Sequence, residues 1–267
     1  MRRLPQLGLI ATAIVLAAGC LSAAVPCGRD GGPCSWIVRG SDPRLALQAV
    51  EVTIAVFTVG WVVRFLLVVR QTNSVIGQLP RRGLPRWLQG RADDAGVARL
   101  VCFESPARLA FCAGLISPTV YLSTGALNRL DRAELGAVLH HEAHHASGYE
   151  PLRRLVIGSM ADVLCFIPLV KWLADHRREA AELRADDAAV RVVGRTATAG
   201  ALLAMTPGAA GFAAFSDCAE LRARRLLGED EDIPRYPSLQ MVFTSAAALM
   251  FAVSVANCLT DMAHLVR

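Results

Sequence analysis

Lysine is almost missing from this chain. Lys171 is the only one, and arginine supplies the rest of the 28 basic residues. The arginines are scattered and acidic residues interleave with them, so there is no basic stripe of the kind that reads nucleic acid. Direct nucleic-acid binding is not expected. Charge in general is scarce, at 19% of residues against about 25% in soluble domains. No CxxC pair occurs among the eight cysteines, which argues against a zinc ribbon. Eight cysteines in 267 residues also fall short of a disulfide scaffold. No internal repeat is evident. Apolar residues make up 54% of the chain, which excludes disorder. The length suits one or two domains. The apolar residues are clustered, and that points to a membrane protein.

Three segments carry most of this apolar character. The first is an uncharged run from Leu4 to Gly28 behind Arg2 and Arg3. It reads either as a signal peptide, with Ser22-Ala23-Ala24 as a cleavage site, or as a retained anchor, which is the reading adopted here. The stretch Ala17-Ala18-Gly19-Cys20 resembles a lipobox but lacks its large aliphatic first residue. The second segment runs from Leu45 to Val69, with Glu51 and Arg64 near its ends. The third, Ser238 to Thr260, has no charge at all. Two transmembrane helices are therefore expected at about 5–26 and 45–69, and a third from 238, followed by a short tail. Arg70, Arg81, Arg82, Arg86 and Arg91 follow the second segment and place residues 80–237 on the cytoplasmic side. The loop with Cys27 and Cys34 then lies outside, where the two could form a disulfide or stay free.

Residues 80–90 read as a linker, from Pro80, Gly83, Pro85 and Gly90. Two β-like runs follow, 98–103 and 119–123, and suggest a small hairpin sheet. Then comes the most informative stretch. Asp131 and Glu134 form a capping-box pattern and Gly148 a stop, so 132–146 should be helical. Within it His141, Glu142 and His145 spell H-E-x-x-H. Spacing of four puts both imidazoles on one helical face, where they can share a zinc ion. Glu142 is placed to act as base toward water at such a metal. His140 and His144 form a second pair on a neighbouring face, read as solvated or packing residues.

A catalytic zinc needs a third protein ligand. A helix expected from Asp175 to Gly194 carries Glu182 and Asp186, again four apart. One of the two carboxylates could bind the metal while the other holds a ligand histidine by its second ring nitrogen. A surface helix stitched by pairs such as Arg178–Glu182 is the plainer alternative. If His141 and Glu182 share a metal, they lie on one side of the membrane. The apolar stretch at about 152–174 between them then cannot cross once. A hairpin bent near Ile167–Pro168 satisfies that condition.

The stretch from about 98 to 190 resembles the BlaR/MecR-type antirepressor membrane metallopeptidases, gluzincins related in plan to HtpX-like and CAAX-prenyl proteases. The resemblance rests on Glu104-Ser105-Pro106, Ala110–Gly114, Tyr121-Leu122-Ser123, Leu135–His145, Pro151–Arg154, Phe166–Trp172 and Glu179–Asp186. It implies a mainly α membrane protein, with transmembrane helices plus a small α+β zincin-type catalytic domain. It implies His141, His145 and Glu182 as ligands of one Zn2+ per chain, Glu142 as general base and Asp186 behind a ligand histidine. It further implies that Phe111, Cys112, Ala113 and Gly114 pair with an extended substrate strand. Two departures stand out. Ile167 replaces the usual Asn before Pro168, and only Asp261–Arg267 follow the last apolar segment, so the family's extracellular sensor domain is expected to be lacking.

The expected protein is thus a multi-pass zinc endopeptidase of the plasma membrane with a cytoplasm-facing site. Its partners are the lipid bilayer and a protein substrate near the membrane, a transcriptional repressor if the resemblance extends so far. The rivals are a non-catalytic zinc-binding signal transducer and a metal transporter. An intact Glu142 argues against the first. The position of the capped helix after a polar linker argues against the second. For the group that steadies the oxyanion, His176 and Arg184 are the sequence's weak candidates.

Overall fold

The structure, a computed structural model, describes residues 43–206, 213–229 and 236–265. The first apolar segment and Cys27 and Cys34 lie outside the described residues. In chain order the elements are α1 (Pro43–Gly77), β1 (Arg81–Arg82), α2 (Arg86–Asp94), β2 (Leu100–Phe103), β3 (Ala110–Ala113), β4 (Thr119–Ser123), α3 (Thr124–Arg129), α4 (Arg132–Ser147), α5 (Glu150–Val163), α6 (Pro168–Val193), α7 (Arg195–Met205), α8 (Ala213–Leu227) and α9 (Leu239–Leu265). Two compact units result. One takes the chain up to Arg64, Met160–Trp172 and the part from Tyr236; the other takes Phe65–Ser159 and Leu173–Arg235.

In the first unit, α1 is long and apolar enough to cross a membrane over Val50–Gly77, and none of that window is buried. Ile54, Val56 and Val59 are each more than 60% exposed, the opposite of a soluble core helix. A shorter apolar helix covers Leu239–Val255. The chain turns after Val163, and α6 restarts at Pro168, whose missing N–H costs nothing at a helix's first position. This is the bend expected near Ile167–Pro168. Its residues are tied within the unit. The Arg64 guanidinium donates to Asp162 Oδ2 at 2.8 and 2.7 Å, Phe57 and Phe166 pack with centroids 5.5 Å apart, and Leu169 N–H donates to Ser245 Oγ at 3.0 Å.

In the second unit a four-stranded sheet has the order β1-β2-β4-β3. The two runs expected as a hairpin do become neighbours, but β2 and β4 are parallel. A further strand, β3, lies in the connection between them and pairs antiparallel with β4, which occupies the hairpin position. The stretch read as a linker also folds: β1 pairs with β2, and α2 buries Leu88 and Ala92 completely. Pro85 at the N-cap explains why a proline-rich stretch can open a helix. Ser123 is fully buried and ties the β2–β3 connection to β4. Its hydroxyl donates to Ala107 O at 2.6 Å and accepts from Leu109 N–H and from Ala126 N–H, which caps α3.

Helix α4 begins where the capping box places it. Asp131 accepts from the N–H groups of Ala133 and Glu134, and Glu134 accepts from Asp131 N–H. Leu135, Val138, Leu139 and Glu142 fall on one stripe at helical spacing and are all buried. The leucines and valine join Val120, Leu122, Leu88, Ala189 and Ala201 in the core. Residues 195–205 form α7, which contributes Ala201 to that cluster. Asp131→Ala should lower stability by about 1 kcal/mol by removing the cap. Thermal unfolding of the full-length protein in mild detergent measures it, and an unchanged midpoint would mean that the cap is dispensable.

Candidate metal centre

Two helices bring the candidate residues together. On α4 the four-residue spacing stacks His141 and His145, with ring centroids 4.7 Å apart. On α6, Ala181, Ala185 and Ala189 are all 2% exposed or less. Val193 at its end packs against Gly136 of α4. Glu182 and Asp186 lie beside the histidines. His141 Nε2 is 3.1 Å from His145 Nε2 and 3.4 Å from Glu182 Oε2, and His145 Nε2 is 3.6 Å from Glu182 Oε1. Three donor atoms thus lie within 4.8 Å of one another and form a possible metal site. Tetrahedral zinc with bonds near 2.0–2.1 Å would separate its donors by roughly 3.3–3.4 Å, close to these spacings. Two nitrogens and one oxygen also match the ligand chemistry of catalytic zinc.

Asp186 Oδ1 meets His141 Nδ1 at 2.9 Å, which directs the other ring nitrogen to the triad. Glu142 is 8% exposed, and among the described residues no hydrogen bond occupies its carboxylate. The charges are strongly coupled. Burial alone would lower His141, but hydrogen bonds to Asp186 and Glu182 outweigh it and raise the imidazole to about 9. Burial, helped by the His141 charge, pushes His145 down to about 3. Burial also opposes ionisation of Glu182 and Asp186. The His141 hydrogen bond and the Arg222 guanidinium outweigh it and hold both carboxyls below their usual range. Glu142 lacks such a partner and is pushed up by burial.

Two site residues were given no role by the sequence. Arg222 of α8 donates to both Asp186 oxygens at 2.7 Å and lies 3.1 Å from Glu182 Oε2. Arg154 of α5 donates to Glu182 Oε1 at 2.5 Å, and its buried Nε makes no hydrogen bond among the described residues. Of the two oxyanion candidates, Arg184 is exposed, and His176 sits half-buried six residues before Glu182. His140 and His144 are half-buried, and burial lowers both.

Phe111, Cys112, Ala113 and Gly114 fall on or just after β3, an edge strand of the sheet. Phe111 stacks on Tyr121 at 5.1 Å on one face. Cys112 is held up to about 12 by burial and by Glu142. Gly114 has φ 109°, and a Cβ there would sit 2.6 Å from Ser117 O, so only glycine fits this turn.

Two histidines and a glutamate around a buried carboxylate make a site like that of a zincin-type metallopeptidase. Residues 90–216, which carry the sheet, α4 and most of α6 and α7, match the model of peptidase family M48. The match supports a metallopeptidase function and a metal-dependent site. No curated protein matches the chain. Full-length protein should carry one zinc per chain by elemental analysis. His141→Ala and Glu182→Ala should lose most of it, while His144→Ala keeps it. Equal loss in the His144 variant would place the metal elsewhere in the histidine cluster.

Proposed function

We propose that the protein is a membrane-embedded zinc endopeptidase that hydrolyses a protein at or near the cytoplasmic membrane surface. The observation that carries this reading is the meeting of His141, His145 and Glu182 beside an unengaged, buried Glu142. His141, His145 and Glu182 would hold the ion, and Asp186 would fix the tautomer of His141. Zinc bound there would supply a Lewis acid for the scissile carbonyl and make water nucleophilic near neutral pH. Glu142 takes the proton of the attacking water and returns it to the leaving amine. Its burial keeps bulk water from competing for that proton and raises its basicity. The outer edge of β3 offers backbone groups to an extended substrate, with Gly114 shaping the end of that edge.

Membrane embedding rests on the unburied apolar surface of α1, on the apolar stretch Leu239–Val255 and on the arginines that follow α1. The bend between α5 and α6 belongs to the same unit as these helices, and Arg64 pairs Asp162 there, so neither charge is left alone among apolar residues. A repressor as substrate follows from the likeness of residues 98–190 to the BlaR/MecR-type peptidases.

Glu142→Gln should keep the zinc and lower cleavage by about a hundredfold or more. N-terminal proteomics in the native host, wild type against this variant at matched expression, reads it out. N-termini found only in the wild type would name the substrate. Zinc retained with no such N-termini under several stresses would favour a non-catalytic zinc-binding transducer.

A further inference from the structure

We infer that Arg222 is a positioning residue that sets the geometry of the metal centre from outside it. The inference rests on the reading of His141, His145 and Glu182 as a metal site. Arg222 lies on α8, 36 residues after Asp186, and falls beyond the stretch 90–216 that matches the peptidase family. Its guanidinium makes three directed contacts. Nε donates to Asp186 Oδ2 at 2.7 Å, one terminal nitrogen donates to Asp186 Oδ1 at 2.7 Å, and the other lies 3.1 Å from Glu182 Oε2. The first two form a bidentate fork, which fixes the plane of a carboxylate as well as its charge.

Each contact leads to a donor atom of the triad. Asp186 Oδ1, held by the fork, also meets His141 Nδ1 at 2.9 Å. Fixing that oxygen fixes the ring and turns Nε2 toward His145 and Glu182. Glu182 Oε2, which Arg222 touches directly, is the oxygen 3.4 Å from His141 Nε2. One side chain therefore orients two of the three donors. Asp186 and Glu182 sit one helical turn apart and would repel each other without a cation between them. Their side chains are 4% and 13% exposed, so water screens that repulsion weakly.

A purely structural role would be to pin α8 against α6, and the molecule contains a control for it. Arg225, one turn along α8, pairs with Asp187 Oδ2 at 3.0 Å; both side chains are about 40% exposed, and among the described residues neither makes a hydrogen bond or ion pair with the triad. Arg225 docks the helix without a path to any donor.

The test measures zinc affinity of the full-length protein in mild detergent, by competition with a chromogenic chelator. Absorption of the cobalt-substituted protein is the second readout. Arg222→Ala should weaken zinc binding about ten- to a hundredfold, the usual effect of losing a group that orients ligands. Arg222→Lys keeps charge without the fork and should also weaken binding and shift the cobalt bands. Arg225→Ala should bind as the wild type does. Wild-type affinity in Arg222→Ala or Arg222→Lys would overturn the proposal. So would equal weakening in Arg225→Ala, which would reduce Arg222 to a docking contact. If Arg222→Ala fails to fold, the Lys variant decides. A wild-type protein that binds no zinc would overturn the metal-centre reading itself, separately from the role of Arg222.

Discussion

Three carboxylates, two imidazoles and two guanidinium groups crowd around the candidate metal site, and the balance of their charges constrains the unit that carries it. Glu142 of α4 and Glu182 and Asp186 of α6 would repel one another at this spacing without cations. Arg154 and Arg222 reach in from two other helices to supply them. The division is uneven. Both guanidinium groups contact Glu182, and Arg222 forks onto Asp186, while neither engages Glu142 in an ion pair. That asymmetry separates the roles of three otherwise similar acids. Hydrogen bonds and the Arg222 charge hold two of them below the usual carboxylate range, and burial pushes the third up. Environment assigns the chemistry that residue type alone leaves open.

Local pattern explains what could be read beforehand. The capping box at Asp131 and Glu134 marks the start of α4 because both halves of that motif lie within four residues. The spacing of His141 and His145, and of Glu182 and Asp186, is likewise a property of one helix each. Bringing the two helices together is not local. It rests on contacts between residues far apart in the chain, such as His141 with Asp186, which no local pattern announces. Arg222 is a still harder case. It is one arginine among many, with no periodic partner, and its role exists only through contacts across 36 and more residues. Strand runs could be located but not paired, since period-two character says nothing of direction; β3 intervened and made β2 and β4 parallel.

The hairpin between the two halves of the site connects sequence logic to topology. Histidines on α4 and carboxylates on α6 have to meet, yet the residues between them are apolar enough to suggest a crossing. The chain resolves this by leaving the catalytic unit at Met160 and returning to it at Leu173. Pro168 cannot continue α5 but readily starts α6, so the reversal falls where the sequence offers a helix start. Asp162 would be a liability in such a place, and so would Arg64 in a spanning helix. Each removes the other's penalty. Their pairing also fixes which part of α1 the bend meets, since an ion pair has one register whereas apolar side chains pack in many. The same physics recurs at Arg222 and Asp186. In both units a guanidinium–carboxylate contact selects one arrangement from the several that apolar or small-residue packing alone would permit.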